Sequence, residues 1–179
     1  SSQDSRLPSG LQVGTGVKVA GTQKVFTTGG LQETSQPLDL AVNGRGFFQI
    51  TMPDGSISYT RDGTFHMDAE GQIVNASGFL LEPAITIPDQ TNTMTISRDG
   101  IVSTTLFGET EPTEIGQIEI VDFINPAGLQ AIGGNLFLET ASSGAPQAGV
   151  ASEAGYGSLE QGFLENSNVN VVEEMVQMI

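Results

Sequence analysis

The sequence predicts a mainly β protein: an antiparallel β-rich domain entered through an extended N-terminal segment and left through the start of an α-helix. Three observations predict this. Apolar residues recur with a period of two from Val17 to about Leu138, as strands with one buried face require. Turn pairs punctuate these runs at Asn43-Gly44, Asp54-Gly55, Asp62-Gly63, Asp99-Gly100 and Gly133-Gly134, supplying the positive φ angles of tight hairpins. No helical pattern alternates with the runs, so a parallel sheet is not expected.

The elements follow in order. Residues 1–16 are polar and hold Pro8, Gly10, Gly14 and Gly16, which predicts an extended or looped stretch. Leu38, Leu40 and Val42 alternate with Asp39, Ala41 and Asn43; Phe48, Ile50 and Met52 alternate with Phe47, Gln49 and Thr51. Met94 with Ile96, Ile118 with Ile120, and Leu136 with Leu138 repeat the pattern. Arg-Asp-Gly occurs at Arg61–Gly63 and at Arg98–Gly100, read as recurring turn chemistry and not as a repeat architecture. From Thr140 to Gly157 the chain is mostly Ala, Ser and Gly, with Pro146, and is expected to be a long loop.

The C-terminal stretch predicts a helix. Asn170 followed by Glu173 has capping-box spacing, and Glu173 and Glu174 put negative charge in the first turn, where the helix dipole favours it. Val171, Met175 and Met178 form one apolar row; Val172, Val176 and Ile179 form a second beside it. The pattern stops without a glycine or a basic last turn. A helix of about two to three turns is marginal alone in water, so it is expected to continue in a longer protein and pack on a partner. These six residues are the expected assembly interface. The expected organisation is an extended segment over 1–20, a β body over 21–154, and a return segment with the helix start over 155–179.

Composition narrows the function. The 179 residues are 37% apolar with 9 Phe, enough for a core. No apolar run approaches the roughly 18 residues of a membrane span, and the first residues lack a signal-peptide pattern. Six Lys+Arg face 21 Asp+Glu, a net charge of −15, which argues against nucleic acid and anionic membranes as partners. With no Cys, neither a disulfide framework nor a thiolate metal site is available.

Nothing points to catalysis or to a cofactor. Gly44-Arg-Gly46 lacks the third glycine of a dinucleotide fingerprint, and no phosphate-loop Lys-Ser/Thr exists. His66, the only histidine, sits in Thr64-Phe-His-Met67 and reads as a strand residue. Asp54, Asp62 and Asp68 do not match a calcium loop and read as turn residues. No carboxylate pair is singled out for glycoside hydrolysis, and Asn75-Ala-Ser77 is a formal glycosylation acceptor only.

Five stretches carry a resemblance. Pro37-Leu-Asp-Leu-Ala-Val-Asn-Gly-Arg-Gly-Phe-Phe-Gln-Ile50, Tyr59-Thr-Arg-Asp-Gly-Thr-Phe65 and Gly71-Gln-Ile-Val74 with Gly78-Phe79 resemble the shared body of bacterial flagellar rod and hook proteins. Gly162 to Val176 resembles the start of their C-terminal helix. Leu7-Pro-Ser-Gly-Leu-Gln-Val-Gly-Thr-Gly-Val17 looks like the segment that marks the family's distal-rod branch.

The resemblance implies a structural, non-enzymatic subunit of a tubular helical polymer around an export channel, with terminal helices inside and β domains outside. It implies export by the flagellar type III apparatus, contact with proximal-rod and hook subunits, and rotation inside a ring bushing across the periplasm, with no small-molecule substrate. Leu7, Pro8, Gly10, Leu11, Val13, Gly14, Gly16 and Val17 are the expected rod-stiffening residues. The alternatives are a proximal-rod or hook sibling and, from another class, an extracellular carbohydrate-binding or carbohydrate-cleaving β domain. Two Tyr and no Trp leave little from which to build aromatic sugar platforms.

Overall fold

The computed structural model describes residues 24–26, 30–166 and 169–171. Its strands are, in chain order, β1 (Lys24–Phe26), β2 (Leu31–Glu33), β3 (Leu40–Asn43), β4 (Phe48–Thr51), β5 (Ile57–Thr60), β6 (His66–Met67), β7 (Ile73–Val74), β8 (Leu80–Glu82) and β9 (Thr91–Ile96). There follow β10 (Ile101–Leu106), β11 (Thr113–Gln117), β12 (Glu119–Asp122), a 3-10 turn at Pro126–Gly128, β13 (Gln130–Gly133), β14 (Leu136–Leu138), β15 (Gln147–Val150), β16 (Ser158–Gln161), β17 (Phe163–Glu165) and β18 (Val169–Val171). Two compact units result: Thr28–Asn166, called the body here, and a terminal unit of Ser1–Thr27 with Ser167–Ile179.

The body is antiparallel, as the alternation predicts. Seven strands form one sheet in the order β13-β14-β5-β4-β8-β7-β6, three form another in the order β11-β10-β9, and β12-β15, β16-β3 and β17-β2 pair separately. In β4, Phe48 and Ile50 are fully buried while Gln49 and Thr51 stay half-buried. They join Leu40, Val42, Ile73, Leu81, Ile118, Ile120 and Leu159 in one core, each large side chain contributing about 1.5–3 kcal/mol by leaving water. Phe65 closes edge-on against Phe48 with ring centroids 5.1 Å apart.

The turns share one design. Over Met52–Ser56, Asp68–Gln72, Asn75–Phe79 and Ser97–Ile101, the fourth residue is a glycine whose N–H donates to the first residue's carbonyl. These glycines (Gly55, Gly71, Gly78 and Gly100) have φ between +84° and +93°, so the connection is a turn followed by a left-handed residue, wider than a two-residue hairpin. Asp68 Oδ1 accepts from the N–H groups of Glu70 and Gln72, and Asn75 Oδ1 from those of Ser77 and Phe79. Asp54 likewise accepts from Ser56 and Asp62 from Thr64.

Three local expectations need correction. Gly63 makes no positive-φ hairpin: a Cβ there would stand 1.6 Å from the Leu40 carbonyl oxygen, so glycine is required by close approach. Thr140–Gly157 is not one long loop, because β15 lies within it and pairs with β12 in the register Glu119↔Val150 to Asp122↔Gln147. Gln147-Ala-Gly-Val150 has only Val150 as a branched residue, so little in its sequence marks a strand, and its pairing sets backbone groups opposite the buried Ile120 and Val121. Thirdly, Val171, expected at the first helical position after the Asn170 cap, is strand. β18 pairs antiparallel with β1 in the register Lys24↔Val171, Val25↔Asn170 and Phe26↔Val169, and β-branched Val169 and Val171 favour that extended backbone. The remaining predicted helix residues, Val172, Met175, Val176, Met178 and Ile179, lie outside the described residues. So do Leu7, Pro8, Gly10, Leu11, Val13, Gly14, Gly16 and Val17.

Candidate assembly site and its arginine node

In the body, the chain enters and leaves side by side. β2 pairs β17 with Leu31 opposite Glu165, and β3 pairs β16 with Leu40 opposite Gln161. Between these pairs the Gly162 carbonyl accepts from the N–H groups of Thr34 and Ser35, while the Gly162 N–H donates to Asp39. Gln161 fastens this ribbon to the next sheet. Its Oε1 accepts from the Ile96 N–H at 3.0 Å, and its Nε2 donates to the carbonyls of Pro37 and Met94.

Arg61 is the centre of this region. It follows β5, and its side chain is 7% exposed against 3% for Glu165. Nε and Nη2 donate to the two Glu165 carboxylate oxygens at 3.2 and 2.6 Å. Nη1 donates to the carbonyls of Gly44 and Gly46, and Nη2 to that of Val42. The planar fork of the guanidinium suits such a bidentate grip. One side chain thus ties the β3–β4 junction, the end of β5 and the outgoing β17. Room for the inward carbonyls comes from glycine: a Cβ on Gly44 would stand 2.7 Å from Gly157 Cα, and one on Gly46 2.8 Å from Ile120 Cδ1.

The other body arginines are also paired, at the surface. Arg45 grips Asp122 and Arg98 reaches Glu160 at 3.1 Å, both arginine side chains being 71% exposed. The body holds Arg45, Arg61 and Arg98 against eighteen acids, so it carries the entire net charge of −15 and the terminal unit is neutral.

Beneath the seven-stranded sheet's aromatic end, Tyr59 and Phe47 both meet Phe123 edge-on, at 4.9 and 5.8 Å. Burial raises the Tyr59 phenol above its usual 10.0, and the Glu139 carboxylate adds to this. Asp54 is lowered by the hydrogen bonds from the Ser56 hydroxyl and N–H. His66 is an exposed strand residue. Among the described residues no group of three His, Cys, Asp or Glu is placed to hold a metal. Of the sequence-predicted interface residues only Val171 falls on described backbone, in β18. Sequence reasoning missed Arg61 and Glu165. The only signal was a repeated Arg-Asp-Gly, and it marks Arg98 equally.

Two family descriptions match the chain: the flagellar hook protein FlgE/F/G D1 domain over residues 41–104, and the flagellar basal body rod FlgEFG protein C-terminal region over 160–179. The flagellar basal-body rod protein FlgG of Buchnera aphidicola subsp. Schizaphis graminum is 50% identical across the whole chain, which covers 69% of that relative. This chain belongs to the FlgG family of flagellar basal-body rod proteins. The FlgG of Borreliella burgdorferi is 49% identical over 99% of the chain and 68% of its own length. The related rod protein FlgF of Caulobacter vibrioides is 33% identical over 89% of the chain and 61% of its own length. Arg61 lies in the first matched family segment and Glu165 in the second, so the node joins two separately defined parts of the FlgG family's architecture.

Proposed function

We propose that this chain is a structural, non-catalytic subunit of the flagellar distal rod, a tubular helical polymer that transmits motor torque and encloses the export channel. The observation that carries this reading is the identity to flagellar basal-body rod proteins across the whole chain. The paired entrance and exit of the body support it, because both ends of the body's chain are tied into its sheets by that ribbon and the Arg61 node. In this reading the chain leaves the cell by the flagellar type III export apparatus, meets proximal-rod and hook subunits, and turns within a ring bushing in the periplasm.

Two segments carry the assembly roles. Val172, Met175, Val176, Met178 and Ile179, with Val171 leading into them, form a helical seam against partner helices. Leu7, Pro8, Gly10, Leu11, Val13, Gly14, Gly16 and Val17 stiffen the shaft by wedging between neighbouring subunits. Pro8 fixes its own φ, and the glycines allow close backbone approach. The test is complementation of a cell lacking its distal-rod protein. Met175→Asp should abolish rods while the β body stays folded by circular dichroism. Deleting Leu7–Val17 should leave rods that assemble but curve under electron microscopy. Normal rods from Met175→Asp would remove the seam, and straight rods from the deletion would remove the wedge.

A further inference from the structure

We propose that the body carries a second assembly contact, an edge-to-edge pairing of β13 with β6 of another copy of this chain. The proposal rests on the rod-subunit reading. No charged residue occurs from Phe123 to Leu138 or from Thr140 to Ser152, although the body otherwise carries −15. The structure folds these stretches together. Asn125 Nδ2 donates to the Ser142 carbonyl at 3.0 Å, the Asn125 N–H donates to the Ser143 carbonyl at 3.2 Å, and the Thr140 hydroxyl donates to the Gly128 carbonyl at 2.6 Å. Ile124 stands 82% exposed and Ile132 40% exposed within these two stretches, whose charged neighbours are Glu139 between them and Asp62, which accepts from Asn135 Nδ2 at the β13–β14 turn.

β13 is an edge of the seven-stranded sheet, and all four of its residues, Gln130-Ala-Ile-Gly133, are exposed. Exposed edges are ordinarily guarded by charge or proline. At its edge of the three-stranded sheet β11 carries Glu114 and is preceded by Pro112, whereas β13 has no such guard. The occupant follows from charge. Two copies of a body at −15 repel wherever acids face acids, so a like-charged copy approaches at least cost along a strand such as β13 that carries no charged residue of its own. The sheet's other edge is a different strand, β6, with Met67 51% exposed and Asp68 beside it. Edge-to-edge contact is therefore head-to-tail, the kind of interface from which open helical filaments are built when its rotation does not close a ring.

These 179 residues hold no cysteine, so Met67→Cys with Ile132→Cys introduces a single pair within them, and the two single variants serve as background controls. Rods purified from cells making the double variant are treated with a short bismaleimide. A ladder of crosslinked copies from the double variant, and none from either single variant, is the expected result. Rods that contain the variant but give no ladder, or dimers from Ile132→Cys alone, would overturn the head-to-tail contact. Should that pair block assembly, His66→Cys with Ala131→Cys probes the same edges, and failure of this pair to assemble or to crosslink overturns the contact too. Absence of the unsubstituted chain from purified rods would overturn the rod reading itself, a result separate from either crosslinking outcome.

Discussion

Arg61 Nη2 lies 2.6 Å from Glu165 Oε2, joining side chains 104 positions apart that are 7% and 3% exposed. Burying such a pair costs desolvation, so its presence alone does not make the fold more stable than an apolar pair would. Removing one partner is a different matter, because an uncompensated charge remains inside. Glu165→Ala should lower unfolding free energy by about 3–5 kcal/mol in denaturant titration. Arg61→Lys should also destabilise, since a point-like ammonium cannot grip the carboxylate and the three carbonyls together. Unfolding midpoints within error of the parent for both variants would show that the node contributes nothing.

The second Arg-Asp-Gly offers the contrast. Arg98 donates to Glu160 Oε2 at 3.1 Å with its side chain 71% exposed, and exposed pairs contribute about 0–1 kcal/mol. Arg98→Ala should therefore change stability by less than about 1 kcal/mol, and what it does contribute should fall further in high salt. A loss as large as that of an Arg61 variant, measured in parallel, would contradict this assignment.

Two glycines should respond differently to alanine. At Gly63 a Cβ would stand 1.6 Å from the Leu40 carbonyl oxygen, and the Leu40 N–H donates to the Gly63 carbonyl at 3.0 Å, so the two backbones cannot separate cheaply. Gly63→Ala should prevent folding or lower the melting temperature severely. Gly55 has φ +89° with nothing within 4 Å, so Gly55→Ala should cost only about 1–2 kcal/mol of backbone strain. Equal melting temperatures for the two variants would refute the close-approach account.

Tyr59 supplies a pH prediction. Its phenol is raised above 10.0, first by burial and then by Glu139, so the folded state holds the proton more tightly than the unfolded chain does. That contribution is complete below the unfolded value of 10.0 and is lost as pH rises through the folded value. In a Tyr156→Phe background, which leaves one tyrosine, absorbance titration should show ionisation above pH 10.0. Stability should fall with pH over the same interval, and Tyr59→Phe should remove that slope. Ionisation at or below 10.0 would be the contrary outcome.

Local chemistry made much of this protein readable from residues alone. Phe48 and Ile50 in β4 alternate with Gln49 and Thr51 because a pleated strand turns successive side chains to opposite faces. Asp54-Gly55 and Asp99-Gly100 announced turns because glycine reaches positive φ freely and a short polar side chain bonds the local backbone, Asp54 accepting from the Ser56 N–H and Ser97 from that of Ile101. The family was legible for the same reason: long ungapped stretches of such local rules lie in its order. Position in space decided the rest. Arg61 and Arg98 occupy the same triplet, yet one is buried against Glu165 and the other lies at the surface beside Glu160. β15 is a strand only because β12 lies alongside it, and Asn170 and Val171 pair with β1 despite a helix-start spacing. Each of these outcomes depends on a partner many residues away, and a backbone group satisfied by a distant strand overrides the preference of its own neighbourhood.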